Sequence, residues 1–147
     1  MSLTTRAWAP TSNEKVESRR SPPAAARRPR VLLVDDEPEV LRALTRLLAP
    51  HASVTTAHSA AQAAILLDAF SYQAVITDYE MPGPNGLWLL ERARERFPRM
   101  RRVMLTGSDN VEIAVQRAAG LVERLLAKPA ERDEILRAIA PDPRDAD

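Results

Sequence analysis

Five side chains in four separated places could do chemistry in this 147-residue chain: Asp35 with Asp36, then Asp78, Thr106 and Lys128. Each closes a short apolar run, and each has a bland reading on its own. Asp35 and Asp36 precede Pro38, and an aspartate N-cap followed by proline at the first helical position is a common helix start. Asp78 precedes Met81, Pro82, Gly83, Pro84, Asn85 and Gly86, a turn-forming run. Thr106 with Ser108 and Asp109 would serve as the capped start of another helix, and Lys128 as a solvated loop residue. Brought together, the same residues have a different meaning. Three carboxylates in one crevice repel and raise one another's pKa unless a cation shares the site. Oxygen-only ligands favour a hard divalent ion, and Mg²⁺ takes a few carboxylates while keeping some waters. Three aspartates, one Mg²⁺ and one ammonium sum to zero. From Val31 onward the chain holds thirteen arginines and one lysine, and that lysine is Lys128. A compact ammonium, not a guanidinium, is what such a site would require.

The elements that must position these residues follow from hydrophobic periodicity. Short apolar runs at 31–34, 53–56, 74–77, 103–105 and 124–127 read as strands, four of them apolar enough to be covered on both faces. Between and after them lie helical patterns at 38–48, 60–70, 87–97, 111–119 and 131–139. The first carries Val40, Leu41, Leu44, Leu47 and Leu48 on one face, and the second Ala63, Ala64, Leu66, Leu67 and Phe70. In the third, Leu87, Leu90 and Phe97 are expected to face the core, with Trp88 toward solvent and packed on Arg92. Pro141 and Pro143 stop the last. This βα alternation specifies an α/β fold, a doubly wound five-stranded parallel sheet of order 2-1-3-4-5 with helices on both faces, flavodoxin-like. In such a sheet the active crevice lies outside the carboxyl ends of the strands, where the five chemical side chains fall. Strand two ends in Ala57 and His58 and offers nothing comparable, as suits an edge.

Composition removes other classes. With 45% hydrophobic and 28% charged residues and no cysteine, the chain has the makeup of one globular domain, without a disulfide framework, thiolate zinc or thiol catalysis. Its longest apolar run, 63–67, is far short of a membrane span, and the N-terminus lacks the apolar core of a secretory signal, so a cytoplasmic protein is expected. The net charge of +1 hides a division. The first thirty residues carry seven basic side chains against Glu14 and Glu17, a net of +5, with prolines and no periodicity. Residues 1–29 therefore read as a disordered basic tail, 30–140 as the folded domain and 141–147 as a short acidic end. Trp8 alone does not make the tail a stacking platform for nucleic acid. His51 and His58 lack ligand-spaced partners, and neither a P-loop nor a GxGxxG turn is present.

From Arg30 to about Ala140 the chain resembles the receiver domains of two-component response regulators. The resemblance rests on Val-Leu-Leu-Val-Asp35-Asp36-Glu37, on Ile76-Thr77-Asp78-Tyr79-Glu80-Met81-Pro82-Gly83 through Asn85-Gly86, on Leu105-Thr106-Gly107 and on Ala127-Lys128-Pro129, in matching order and spacing. It implies that Asp78 accepts a phosphoryl group and shares the metal site. Asp36 would bind Mg²⁺ directly, Asp35 mainly through water, and the backbone carbonyl of Glu80 would be a further ligand. Thr106 and Lys128 would bond the phosphoryl oxygens. It also implies a cis peptide before Pro129, and as partners a sensor histidine kinase or phosphotransfer protein, a downstream protein or output domain, and a phosphorylation-dependent homodimer. No nucleic acid or membrane contact by the domain is expected, and self-catalysed phosphotransfer with slow autodephosphorylation takes the place of conventional enzyme turnover.

Four positions depart from the family's habits or tune it. Leu125 stands where relatives often carry a switching aromatic, and Ala130 where many carry a bulky one. Glu80 and Ser108 occupy places that influence dephosphorylation. With no polar tip on Leu125, Thr106 and the loop 107–110 are expected to carry the switch into the fourth helix. Two rival readings differ in class: a multiple-turnover aspartate phosphatase, which would hydrolyse small phosphate esters steadily, and a docking module indifferent to phosphorylation, against which the intact five residues count.

Overall fold

The computed structural model describes residues 28–107 and 111–141. Expectations for the basic tail, for Ser108 and Asp109, for most of the loop 107–110 and for the acidic end fall outside those residues. Five strands, β1 (Arg30–Val34), β2 (Ser53–Ala57), β3 (Ala74–Asp78), β4 (Arg101–Thr106) and β5 (Arg124–Ala127), alternate with helices α1 (Pro38–Leu48), α2 (Ala60–Ala69), α3 (Gly86–Arg96), α4 (Val111–Ala118) and α5 (Arg132–Ile139). All strand pairs are parallel and the order is β2-β1-β3-β4-β5, as the sequence implies.

Strand alternation divides the apolar side chains between two cores. Leu32, Val34, Val75 and Met104 meet Ala63, Leu67, Leu89, Leu90, Ala93, Ala114 and Ala118, so α2, α3 and α4 cover one face. Val31, Leu33, Ile76, Val103 and Leu105 meet Leu41, Leu48, Ile135, Ala138 and Ile139, so α1 and α5 cover the other. Each fully buried leucine or isoleucine is worth about 1.5–3 kcal/mol, which makes the central strands the stiffest part of the molecule. Short polar caps set where helices begin. The Ser59 hydroxyl accepts from the Gln62 amide at 3.0 Å, the Asn85 side-chain oxygen from the Trp88 amide at 3.0 Å, and Glu131 forms a capping box with Glu134.

Three local readings change. Helix α3 buries Gly86, Leu89, Leu90 and Ala93, while Leu87 and Phe97 are only partly covered, because the helix sits with its small residues against the sheet. Phe70, placed by periodicity on the core face of α2, is 46% exposed, because the helix ends at Ala69 and Phe70 turns extended, with φ −135° and ψ 157°. Strand β4 begins two residues before its apolar run, at Arg101, and the reason is side-chain hydrogen bonding. Arg101 Nε donates to the Ala138 carbonyl at 2.9 Å. Arg102, 7% exposed, donates from Nε to the Leu121 carbonyl at 2.6 Å and from Nη1 to the Met100 carbonyl at 3.2 Å, and pairs with Glu123 at 3.3 Å. A buried guanidinium is tolerated because its donors are spent on backbone carbonyls and a carboxylate.

Arg102→Ala should therefore lower unfolding stability by about 2–4 kcal/mol, since it strands the Leu121 and Met100 carbonyls and takes from Glu123 its side-chain partner, leaving that carboxylate only the backbone amide of residue 102. Urea denaturation measures this, and a loss within experimental error would show that Arg102 carries no such role.

Candidate functional site

The sheet register determines which side chains meet. Val34 pairs with Thr77, so the next residues, Asp35 and Asp78, leave the sheet side by side. Asp78 pairs with Leu105 and Thr106 with Ala127, which puts Thr106 and Lys128 on the next two strand ends. Backbone bonds extend the order past the strands: the Tyr79 amide donates to the Leu105 carbonyl at 3.0 Å, and the Lys128 amide to the Thr106 carbonyl at 2.9 Å. The Lys128–Pro129 peptide is cis.

The structure brings Asp35, Asp36, Asp78 and Lys128 into one cluster. One carboxylate oxygen of each aspartate lies within 4.8 Å of the others. Lys128 Nζ donates to Asp35 Oδ2 at 2.8 Å and lies 3.3 Å from Asp78 Oδ1. Asp35 is buried, Asp78 is 8% exposed and Asp36 is half-buried, so the pocket opens to water on the Asp36 side. Neither Asp35 nor Asp36 caps α1. That helix starts after Glu37 with no side-chain cap, and Asp35 Oδ1 instead accepts the Glu37 amide at 2.9 Å, which holds its other oxygen for Lys128. Thr106 is buried at its strand end with its hydroxyl directed to the Gly107 carbonyl at 3.3 Å. Glu80 projects outward between buried Tyr79 and Met81, which fix the path of the loop after β3. Leu125 is partly buried against the α2–α4 core and Ala130 against the α1–α5 core. His51 and His58 are exposed, and the Arg92 guanidinium lies 6.0 Å from the Trp88 ring centroid, the stacking expected of that pair.

The electrostatics show that positive charge is short. Burial is the largest influence on Asp78; with the charge of Asp35 it outweighs Lys128 and the Tyr79 amide and pushes the carboxyl from 3.8 up to about 6. Burial pulls the other way on Lys128, but its bond to Asp35 and the charges of Asp78 and Asp35 prevail and hold it above the ordinary lysine value. One ammonium among three carboxylates leaves a deficit that a divalent cation with oxygen ligands would fill, so the donor set and its charge fit Mg²⁺.

Gly86 is the site residue that sequence reasoning passed over as a turn glycine. Its amide donates to the Tyr79 carbonyl at 2.9 Å, and a Cβ there would collide with the carbonyl of Asp78 itself. The signal was available in its place: eight residues after Asp78, at the first position of a helix packed on β3.

The response regulator receiver domain family matches residues 31–140. The chain belongs to that family. Among its relatives, the alginate biosynthesis transcriptional regulatory protein AlgB of Pseudomonas putida is 36% identical over 112 residues, 76% of this chain and 25% of that protein. The hydrogenase transcriptional regulatory protein HoxA of Cupriavidus necator is 34% identical over 111 residues, 74% of this chain and 23% of that protein. The chain thus spans about a quarter of the length of these relatives. Among solved structures, the signal receiver domain of an HD domain-containing protein from Pseudomonas fluorescens Pf-5 is 33% identical with a TM-score of 0.70, the match covering 77% of this chain and 92% of that one. A CheY-like receiver domain from Methanospirillum hungatei, 23% identical with a TM-score of 0.66 over 76% of this chain and 90% of that one, shares the fold. Among the described residues no helix is long and apolar enough to cross a membrane.

Two expected outcomes follow from the geometry. Without added divalent cation, Asp78→Asn should stabilise the chain at about pH 7.5. Below the ordinary carboxyl range Asp78 is protonated in both folded and unfolded chains and costs nothing, whereas above about 6 both are ionised and the full cost of burying the charge, about 3 kcal/mol at most, is present. The gain should shrink as pH falls from about 6 toward 3.8. Urea midpoints of both proteins across that range check it; a gain that grows on acidification contradicts a raised Asp78. Gly86→Ala should cost about 1–3 kcal/mol by overpacking and displace the Asp78 backbone. Amide chemical shifts confined to the α3 surface, leaving Asp78 and Tyr79 unmoved, would contradict that contact.

Proposed function

We propose that this receiver domain accepts a phosphoryl group on Asp78 from a phosphohistidine of a sensor kinase or phosphotransfer protein, and that the modification changes its contact with a downstream partner or output domain. The observation that carries the reading is Lys128 Nζ placed between Asp35 and Asp78, at 2.8 and 3.3 Å, in a pocket that still lacks positive charge. In the reaction an Asp78 carboxylate oxygen forms a bond to phosphorus while the bond from phosphorus to the donor imidazole breaks, the imidazole keeping the electron pair and taking up a proton. Phosphoryl transfer spreads charge over the equatorial oxygens, so fixed cations contribute most of the rate. Lys128 is one such cation, held in place by its bond to Asp35. Asp35, Asp36, Asp78 and the Glu80 carbonyl would hold Mg²⁺, which when bound supplies charge neutralisation and alignment at the transferring group.

Thr106 would receive one phosphoryl oxygen. Among the described residues its hydroxyl meets only the Gly107 carbonyl, at 3.3 Å, a long bond that a charged acceptor displaces readily. Drawing it inward would pull on Gly107 and on the start of α4. Leu125 would fill space behind it. AlgB and HoxA are described as transcriptional regulatory proteins of which this chain spans a quarter, so a regulatory output in the cytoplasm belongs to the same reading. The 31–140 match supports a folded unit of about 30–140 flanked by a basic tail and an acidic end.

Intact-mass analysis after incubation with acetyl phosphate and Mg²⁺ tests the reading. One phosphoryl group should be added, and should be absent in Asp78→Asn or with chelator; unchanged uptake in Asp78→Asn overturns it. With beryllofluoride as phosphoryl mimic, amide shifts should run from Asp78 through Thr106 into residues 111–119, and Thr106→Ala should shrink the distant ones. A Thr106→Ala spectrum that responds like wild type removes Thr106 from the route.

A further inference from the structure

At the end of the sheet opposite Asp78, the turn after α2 and the turn after α3 enclose a groove of about 400 Å³. Phe70 and Tyr72 form one wall, and Phe97, Pro98, Arg99 and Met100 the other. Phe70 is 46% exposed here, the ring that periodicity would have put in the core. Concave apolar surface beside an exposed aromatic is where soluble domains bind partners. We propose that this groove docks an acidic peptide segment of a partner protein, anchored by an aromatic or branched apolar side chain.

The lining asks for an apolar anchor, and the rim for negative charge. Arg99 is exposed and has no hydrogen-bond or ion-pair partner among the described residues. The Arg30 guanidinium lies 5.7 Å from the Tyr72 ring centroid, bringing a second cation to the same wall. Asp68, the acidic residue at the end of α2, is held by both Arg92 at 3.0 Å and Arg96 at 3.3 Å, so the carboxylate is outnumbered. Glu95 on the outer face of α3 is the opposing charge.

The same charge argument ranks the other occupants lower. Residues 1–27 of this chain carry five basic side chains against two acidic ones and would be repelled by the arginine rim. A second copy would offer its acidic Asp35–Asp36–Asp78 end, but that head-to-tail contact is heterologous, so it would give a ring or an open filament instead of a self-complementary pair. A nucleic acid needs a continuous basic track, and from Val31 onward the chain has eighteen acidic residues against fourteen basic ones. The groove lies apart from the phosphoacceptor, so its occupancy is independent of the function proposed above.

Short random peptides displayed on phage and panned on the full 147-residue chain supply the probes, and the enriched sequences are then synthesised with a fluorescent label. They should pair Asp or Glu with Trp, Phe or Leu. Binding by fluorescence anisotropy should weaken about tenfold or more in Phe70→Ser and in Arg99→Glu, and persist in Asp78→Asn. Both substituted residues are exposed, so folding should survive, and an unchanged urea unfolding midpoint would verify it. Bound peptide should shift the amides of residues 70–72 and 97–100. Enrichment of neutral or basic sequences only, binders indifferent to both substitutions, or no enrichment over the doubly substituted chain would overturn the proposal. So would oligo(dT) binding with the same residue dependence, or shifts at residues 70–72 that follow protein concentration or removal of residues 1–27; these outcomes assign the groove to nucleic acid, a second copy or the chain's own tail.

Discussion

The attraction of one half-buried ammonium for two buried carboxylates is the interaction on which the rest of this site depends. Lys128 comes from the last strand end and Asp35 from the first, 93 residues apart, and their 2.8 Å bond closes the crevice across β3 and β4. Charge is expensive inside protein, so removing either partner would strand the other in a place water reaches poorly. The arrangement is nevertheless incomplete, because Asp78 remains under-neutralised and its carboxyl rises to about 6. A fully balanced site would have nothing to gain from a cation. The imbalance is therefore what makes the pocket responsive.

That imbalance can be sustained only because the scaffold beneath it is stiff. Val31, Leu32, Leu33, Val75 and Ile76 are buried to within 1% of completely, and they immobilise the strands that end in Asp35 and Asp78. Gly86 brings α3 against the Asp78 carbonyl from one side, and Tyr79 and Met81 bury the following loop, so the aspartate cannot relax outward to recover hydration. Polar groups at the far end of the sheet serve the same purpose. Arg102 fixes the loops entering β4 and β5, and Arg101 and Gln73 donate to the last carbonyls of α5 at 2.9 and 2.8 Å. The strands are thus held by apolar packing along their length and by side-chain-to-carbonyl bonds at their base.

How much of this could be read from the residues depends on which forces are local. The strands and most helix bounds were legible because periods of 2 and 3.6 in apolar residues report burial directly, the strand order because strand two ends without a chemical side chain, as suits an edge, and Lys128 through being the single lysine after Val31. Asp35, Asp36 and Asp78 were legible as a group because a parallel sheet gathers strand ends. Side-chain hydrogen bonds over long sequence separations were not. Nothing near Arg102 announces that Leu121 and Glu123 will accept its protons, so β4 read as shorter than it is. Nor does a helical period reveal where the backbone leaves the helix: Phe70 keeps the spacing of a core residue and loses the position through a single extended torsion pair. Gly86 fell between these cases, visible as a glycine but not as a contact, because its partner is a carbonyl rather than a side chain.

Thr106 differs from the other site residues in having so little to hold it. Asp35, Asp78 and Lys128 are tied by contacts of 2.8–3.3 Å, whereas among the described residues the threonine hydroxyl makes one 3.3 Å contact to its own neighbour's carbonyl. Thr106 is buried, so the change open to it is rotation of its hydroxyl, and at the next residue, Gly107, an added Cβ would meet no neighbour within 4 Å among the described residues. A group with one torsional degree of freedom, a weak present partner and an unobstructed next residue can change partners at little cost. In the proposed function the firmly held half of the pocket would bind and align, and the loosely held half would transmit. Both properties come from the same sheet, since strand ends are firm where neighbouring strands hydrogen-bond them and free one residue later.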